Sequence, residues 1–215
     1  MTDSGKRVYR SDLRADQARA TRRQVVTAAS RLFAERGYAA TTIAAIAAEA
    51  GVSRKTVFTS VGGKVELMKL AYDWAIAGDD EPVAKVDRPE ILELQAEPDA
   101  SVVIEKYVAG LDESMTRIAP IHDALRSAAD VDEQARELLE TLETQRLRGM
   151  GMFAADLDGR GALREGLSRD GAADLLWFYI QPVHWDLLVQ QRGWSRAAYR
   201  TWLRTSLELH LLGLS

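Results

Sequence analysis

Apolar residues recur along this chain at spacings of three and four, and no strand-type alternation of useful length interrupts them. The sequence therefore reads as all-α. Val25, Ala29, Leu32 and Phe33 form one stripe. It opens after Thr21, whose spacing to Gln24 is that of a capping box, and it stops at Gly37. Thr42 caps a second run in which Ile43, Ile46 and Ala47 share a face, with alanines between them that permit close helix packing. Gly51 suits a left-handed stop, and Ser53 caps a third helix running to about Val61. After Gly62 and Gly63, a fourth helix from Lys64 to about Ala77 is apolar on two sides. Val65, Met68, Tyr72 and Ala75 form one, and Leu67, Leu70, Ala71 and Trp74 the other. A helix of that kind touches two things, here the segment before it and the body after it.

Residues 78–100 hold three of the five prolines and read as an acidic loop with a short helix over 89–95. Helices follow at about 100–118, 120–129, 132–154, 168–192 and 195–212, the 168–192 helix bent by Pro182. Residues 1–20 lack an apolar period and read as a flexible arm carrying Lys6, Arg7, Arg10, Arg14 and Arg19. It serves either as a solvated tail or as a phosphate-tracking, minor-groove arm. The organisation is thus an arm over 1–20, a three-helix unit over 21–64 and a larger helical body over 65–215.

The stretch 42–64 has the grammar of a helix-turn-helix: apolar helix, glycine turn, capped basic helix. Charge agrees. Residues 1–64 hold 12 Lys+Arg against 5 Asp+Glu, and residues 65–215 hold 16 against 27, an asymmetry hidden in the net charge of −4. The basic part suits DNA phosphates, and the acidic body should face away. Arg54 suits two bonds to guanine, and Lys55 a base or phosphate. Thr56 and Thr59 offer methyl or hydroxyl groups. Ser60 and Lys64 suit phosphate, as does the helix start at Thr42. So short a reader helix needs two copies on a palindrome.

Absent motifs narrow the alternatives. The chain has no cysteine, which removes disulfides and thiolate zinc sites and fits a reducing cytoplasm. The polar start shows no secretory signal, and the apolar stretch 175–189 is too short and too polar for a bilayer, so no membrane association is expected. His122, His184 and His210 stand far apart and no phosphate or dinucleotide fingerprint occurs, so neither metal nor cofactor is expected. Gly159-Arg160-Gly161 reads as a turn. Two other classes remain open: a helical enzyme using a Tyr179/His184 pair, and a sequence-indifferent DNA-binding protein.

The first helix, the lead-in Gly37-Tyr38-Ala39-Ala40-Thr41-Thr42, Ile46-Ala47, Ala50-Gly51-Val52-Ser53, Thr56 and Lys64 together resemble the TetR family of transcriptional repressors, over about Thr21 to Leu70. Three features depart from that pattern. Phe58 stands where the family commonly has Tyr and so lacks a phosphate-bonding hydroxyl. Val61 replaces Phe, and Ala44 and Ala45 replace polar or basic residues. Recognition then falls mainly on the third helix. The resemblance implies a body that binds a small effector and ends in two dimerising helices. It assigns Leu176, Ile180, Leu187, Leu188, Tyr199, Trp202, Leu203, Leu207 and Leu211 to a homodimer seam, positions whose spacing serves an intramolecular core equally well. An apolar or aromatic effector would be lined by Trp74, Tyr107, Met115, Met150, Phe153, Trp177, Phe178 and His184, residue types that also build ordinary cores.

Overall fold

The computed structural model describes residues 4–83 and 87–213, with side chains from residue 15 onward. Among these residues it is all helix, with no strand. The first four helices are α1 (Ser4–Ala40), α2 (Ile43–Glu49), α3 (Arg54–Ser60) and α4 (Lys64–Ala77). The body holds α5 (Pro89–Ala96), α6 (Ala100–Ala129), α7 (Glu133–Gly159) and α8 (Arg169–Tyr179). It ends in α9 (Pro182–Trp185) and α10 (Arg196–Leu207), each continued by wider π-type turns, over Asp186–Gln191 and Glu208–Leu212. No described helix is long and apolar enough to cross a membrane.

Several expectations need correction. Helix α1 begins at Ser4, so Thr21 lies inside it and residues 4–20 are helical rather than a flexible arm. The reason is compositional: after Gly5 this segment holds no glycine or proline and is rich in Ala and Arg. The side chains of Lys6, Arg7, Arg10 and Arg14 lie outside the described residues. Arg19 does not stand free, because it donates to Asp80 at 3.2 Å and to Glu81 at 2.8 Å. Arg23 also holds Asp80, at 2.5 and 3.1 Å. Gly37 does break the helix, with φ +74°. The buried Thr41 hydroxyl then bonds the loosened carbonyls of Leu32 (3.0 Å) and Gly37 (2.8 Å).

Helix α6 runs unbroken through Pro120, where the sequence suggests two helices. Ile118, Ala119, Ile121 and His122 are all buried on either side of the proline, and that packing outweighs one missing hydrogen bond. The reverse holds for 168–192. There the chain leaves helical geometry at Ile180 and Gln181, and Pro182 starts α9 as its first residue. A residue before proline avoids the helical region, so the bend becomes a full break. The glycine-bounded turn after α7 is present, with Gly161 at φ +66°.

Two apolar cores result. The first joins α1, α2, α3 and α4 to α6 and α7 through Phe33, Ile46, Val57, Leu67, Leu125 and Leu142. It crosses residue 64 without a seam. The second joins α6 and α7 to α8 and α10 through Ile104, Leu157, Leu176 and Leu203. The wholly buried Asp112 of α6 anchors this second core. It accepts from Trp185 Nε1 (3.3 Å) and from Arg196 (3.0 and 2.9 Å), tying α6 to α9 and α10.

The burial corrects the sequence-based seam. Leu176, Tyr199, Leu203, Leu207 and Leu211 have no exposed surface in the single chain, and Ile180 has almost none. A second copy has nothing left to cover there. Leu187 is exposed, and Leu188 and Trp202 are half-buried.

Candidate nucleic-acid interface

Helix α3 is set by three local features. Gly51, at φ +67°, turns the chain out of α2, with Val52 N donating to Ala47 O at 2.9 Å. The Ser53 hydroxyl accepts from Thr56 N at 3.0 Å, capping α3. Val57 is wholly buried against the first core and fixes which face turns outward. That outward face carries Arg54, Lys55, Phe58 and Thr59, all exposed, with Thr56 and Ser60 at its edge. Arg54 and Lys55 have no ion-pair partner among the described residues, so both charges are available to a ligand.

The hydroxyls are less free than the sequence suggests. Thr59 donates to the carbonyls of Lys55 (3.1 Å) and Thr56 (3.2 Å), and Ser60 donates to Val57 O (3.1 Å). Thr56 shares a 2.8 Å bond with Ser53. Toward a nucleic acid, Thr59 therefore offers a methyl group and an acceptor, and the donors of this face are Arg54 and Lys55. Phe58 presents its ring to solvent, a large apolar surface suited to sugar or thymine methyl contact.

Two flanking positions complete the surface. Thr42, exposed, accepts from Ala45 N at 3.1 Å and so caps α2. Lys64, in the first turn of α4, sits 3.9 Å above the ring of Tyr38, which itself stacks on Phe33. Desolvation lowers the Lys64 pKa, and burial pushes the Tyr38 phenol up to about 12. In the sequence Tyr38 stands only within the 37–42 lead-in to α2. Its role in holding Lys64 is a feature of packing that no local signal announces.

The eight residues expected around an effector fall in three places. Tyr107, Met115, Met150, Phe153 and Trp177 gather where α6, α7 and α8 meet. Tyr107 lies 4.6 Å from Phe153 and its hydroxyl 3.8 Å from Met150 Sδ. Arg146 lies over the Trp177 ring at 4.9 Å and donates to the Trp177 carbonyl. Trp74 is elsewhere, lining a cleft of about 1060 Å³ between α1, α3, α4 and the loop over 79–83. Phe178 is corrected to the outer surface, 53% exposed, and packs edge-on against the half-buried His184, which leans toward Trp202.

The Tyr179 hydroxyl meets His210 Nδ1 at 3.3 Å, and the His184 ring meets only the backbone carbonyl of Tyr179 at 3.3 Å, so the Tyr179/His184 acid–base pair is not assembled. Among the described residues no group of His, Cys, Asp and Glu is placed to hold a metal ion.

The profile of the "Bacterial regulatory proteins, tetR family" matches residues 25–71, from the core stripe of α1 into α4. The HTH-type transcriptional regulator CymR of Pseudomonas putida is 30% identical over 175 residues, covering 79% of this chain and 78% of that protein. The HTH-type transcriptional regulator TtgR, also of Pseudomonas putida, is 41% identical over 58 residues, 27% of this chain and 28% of that protein. Among solved structures, NalD, the secondary repressor of the MexAB-OprM multidrug efflux pump in Pseudomonas aeruginosa, superposes with a TM-score of 0.66. It is 20% identical and covers 90% of this chain and 97% of its own. SmeT, solved with triclosan, gives 0.61 at 21% identity, covering 88% and 90%. With the profile on the helix-turn-helix and the CymR likeness running through most of the body, the chain belongs to the tetR family of bacterial regulatory proteins and is a DNA-binding transcriptional regulator.

Proposed function

We propose that the chain acts in the cytoplasm as a homodimeric repressor on a palindromic operator, released when a small apolar or aromatic effector occupies the body. The observation that carries the DNA reading is the outward face of α3, where Arg54 and Lys55 are exposed, with no ion-pair partner among the described residues, on a helix locked by the buried Val57. Arg54 reads a base, Lys55 a base or phosphate, and Lys64 a phosphate. The dimer reading is supported by the opposite end of the chain. There Phe178, Val183, Leu187, Trp194 and Leu209 leave large apolar side chains open to solvent over α8 to α10. Such a patch invites a partner.

Coupling between body and reader is supported by α4. Its buried side chains pack on α1 and on α6, and Arg117 of α6 donates to the carbonyl of Ala75 (3.0 Å) near its end. A buried polar bridge continues inward. Tyr72 of α4 lies beside His122, His122 Nε2 lies 3.5 Å from Glu143, and Glu143 bonds Arg146, which covers Trp177. A ligand among these groups would bias the tilt of α4 and the spacing of two readers, with a coupling of about 1–3 kcal/mol. The aromatic group around Tyr107 and Phe153 supports an aromatic ligand, in keeping with the triclosan in SmeT.

Selection of bound sequences from a random pool tests the proposal. A palindromic consensus with half-sites about one helical turn apart is the expected result. A single unpaired half-site would remove the dimer, and a pool with no consensus would remove the reader.

A further inference from the structure

The cleft between the reader and the body has no role in the reading above. Its floor is apolar, formed by Leu70, Trp74, Ile76, Pro82 and Val83, and Val83 lies nearly half open to solvent. Its walls come from α1, α3 and the acidic loop. All four acidic side chains on the wall are matched. Asp73 pairs with Lys69, Asp79 with Arg88, Asp80 with Arg19 and Arg23, and Glu81 with Arg19. The basic side chains are not all matched. Arg22 lines the cleft and has no acidic partner among the described residues. Among the described residues, the cleft is left with an apolar floor and one cation, Arg22, without an acidic partner.

We propose that this cleft seats a monoanionic amphiphile, an alkyl or aromatic body bearing one carboxylate, with the carboxylate on Arg22 and the body against Trp74 and Val83. The regulatory consequence rests on the repressor reading; the binding itself does not. An occupant touches α1 through Arg22 and lies beside Thr56, Thr59 and Ser60 of the reader helix. It also lies under the Arg19–Asp80–Arg23 contacts that tie α1 to the loop after α4. Occupancy and operator affinity are therefore linked reciprocally, at a place separate from the interior of the body.

Titration calorimetry with decanoate, decanol and decylamine on the full chain tests this. The partner variants are Arg22→Gln, which removes the charge, and Val83→Asp, an exposed change that places a carboxylate at the apolar mouth. Circular dichroism melts confirm that both variants fold. Decanoate should bind the unmodified chain, with decanol and decylamine at least about tenfold weaker, as expected for a charge-assisted contact. Each variant should weaken decanoate by about tenfold or more. Decanoate should also shift operator affinity in the unmodified chain and not in Arg22→Gln. Undiminished decanoate binding in both variants, equal binding of decanol, or no binding heat at all would overturn the proposal. A random-pool selection without a palindrome would remove the repressor reading and leave the calorimetric result standing.

Discussion

Replacing Lys64 by Gln separates a phosphate contact from a structural one. The ammonium sits 3.9 Å above the Tyr38 ring, and losing that contact costs about 0.5–1 kcal/mol. Lys64 is also in the first turn of α4, where a cation opposes the helix dipole by about 0.3–1 kcal/mol. The two effects offset each other, so folding stability should change by no more than about 0.5 kcal/mol. Binding should change far more. Each copy loses one phosphate, which makes the slope of log K against log salt shallower by about 0.9, or about 1.8 for a dimer. Between about 1 M and 0.1 M salt that amounts to a loss on the order of 60-fold in operator affinity. Fluorescence anisotropy on an operator duplex across a salt series measures the slope, and urea denaturation measures the stability. An unchanged slope combined with a loss of about 1–2 kcal/mol in stability, roughly what a buried structural cation–π contact supplies, would refute the phosphate role.

Four further outcomes follow from the same geometry. Arg54→Ala should cost about 1–3 kcal/mol on the operator and relax preference at one base pair per half-site; equal loss on every single-base variant would leave it only a phosphate role. Leu187→Asp, an exposed change, should yield a folded monomer in sedimentation velocity, and an unshifted dimer would place the interface elsewhere. Asp112→Ala leaves the buried Trp185 N–H unpaired, while Arg196 and Arg200 can turn to water, so urea denaturation should show a loss of about 2–4 kcal/mol, and Asp112→Asn less. Burial alone would raise the Glu143 carboxyl, but His122 and Arg146 bring it down to about 2. Its stabilisation, about 3 kcal/mol at most, is complete above about pH 4.5 and lost as pH falls toward 2. The stability gap between the unmodified chain and Glu143→Gln should shrink by more than half by pH 3.

The reader was legible because its information is local. Gly51, Ser53 and the basic run after it act within one turn, and the structure reproduces their spacing. The two-sided character of α4 was legible for the same reason: periodicity reports faces. Periodicity does not report which partner a face meets. Tyr199, Leu203, Leu207 and Leu211 have the spacing of a seam, yet they point into the second core, while Leu209 on the same stretch is exposed and Trp202 half-buried. Proline misled in both directions. Pro120 is overruled by burial on either side, whereas Pro182 gains a break because its neighbour Gln181 takes the extended conformation. The charge contacts of Asp80 join residues about sixty positions apart, beyond the reach of any local pattern.

The first core passes from Val25 and Phe33 through Ile46, Val57 and Leu67 to Ile121, Leu125 and Leu142 as one cluster of buried apolar side chains. The reader is therefore not a detachable cassette. A fragment ending near residue 64 would leave the inner sides of α1, α2 and α3 without the α4, α6 and α7 residues that cover them. A chimera that grafts these three helices onto another regulator's body would inherit a mismatched surface unless it also carried the facing residues of α4, α6 and α7. Recombination between relatives of this chain meets the same constraint at the turn after α7, because the second core joins α6 and α7 to α8 and α10 across that turn.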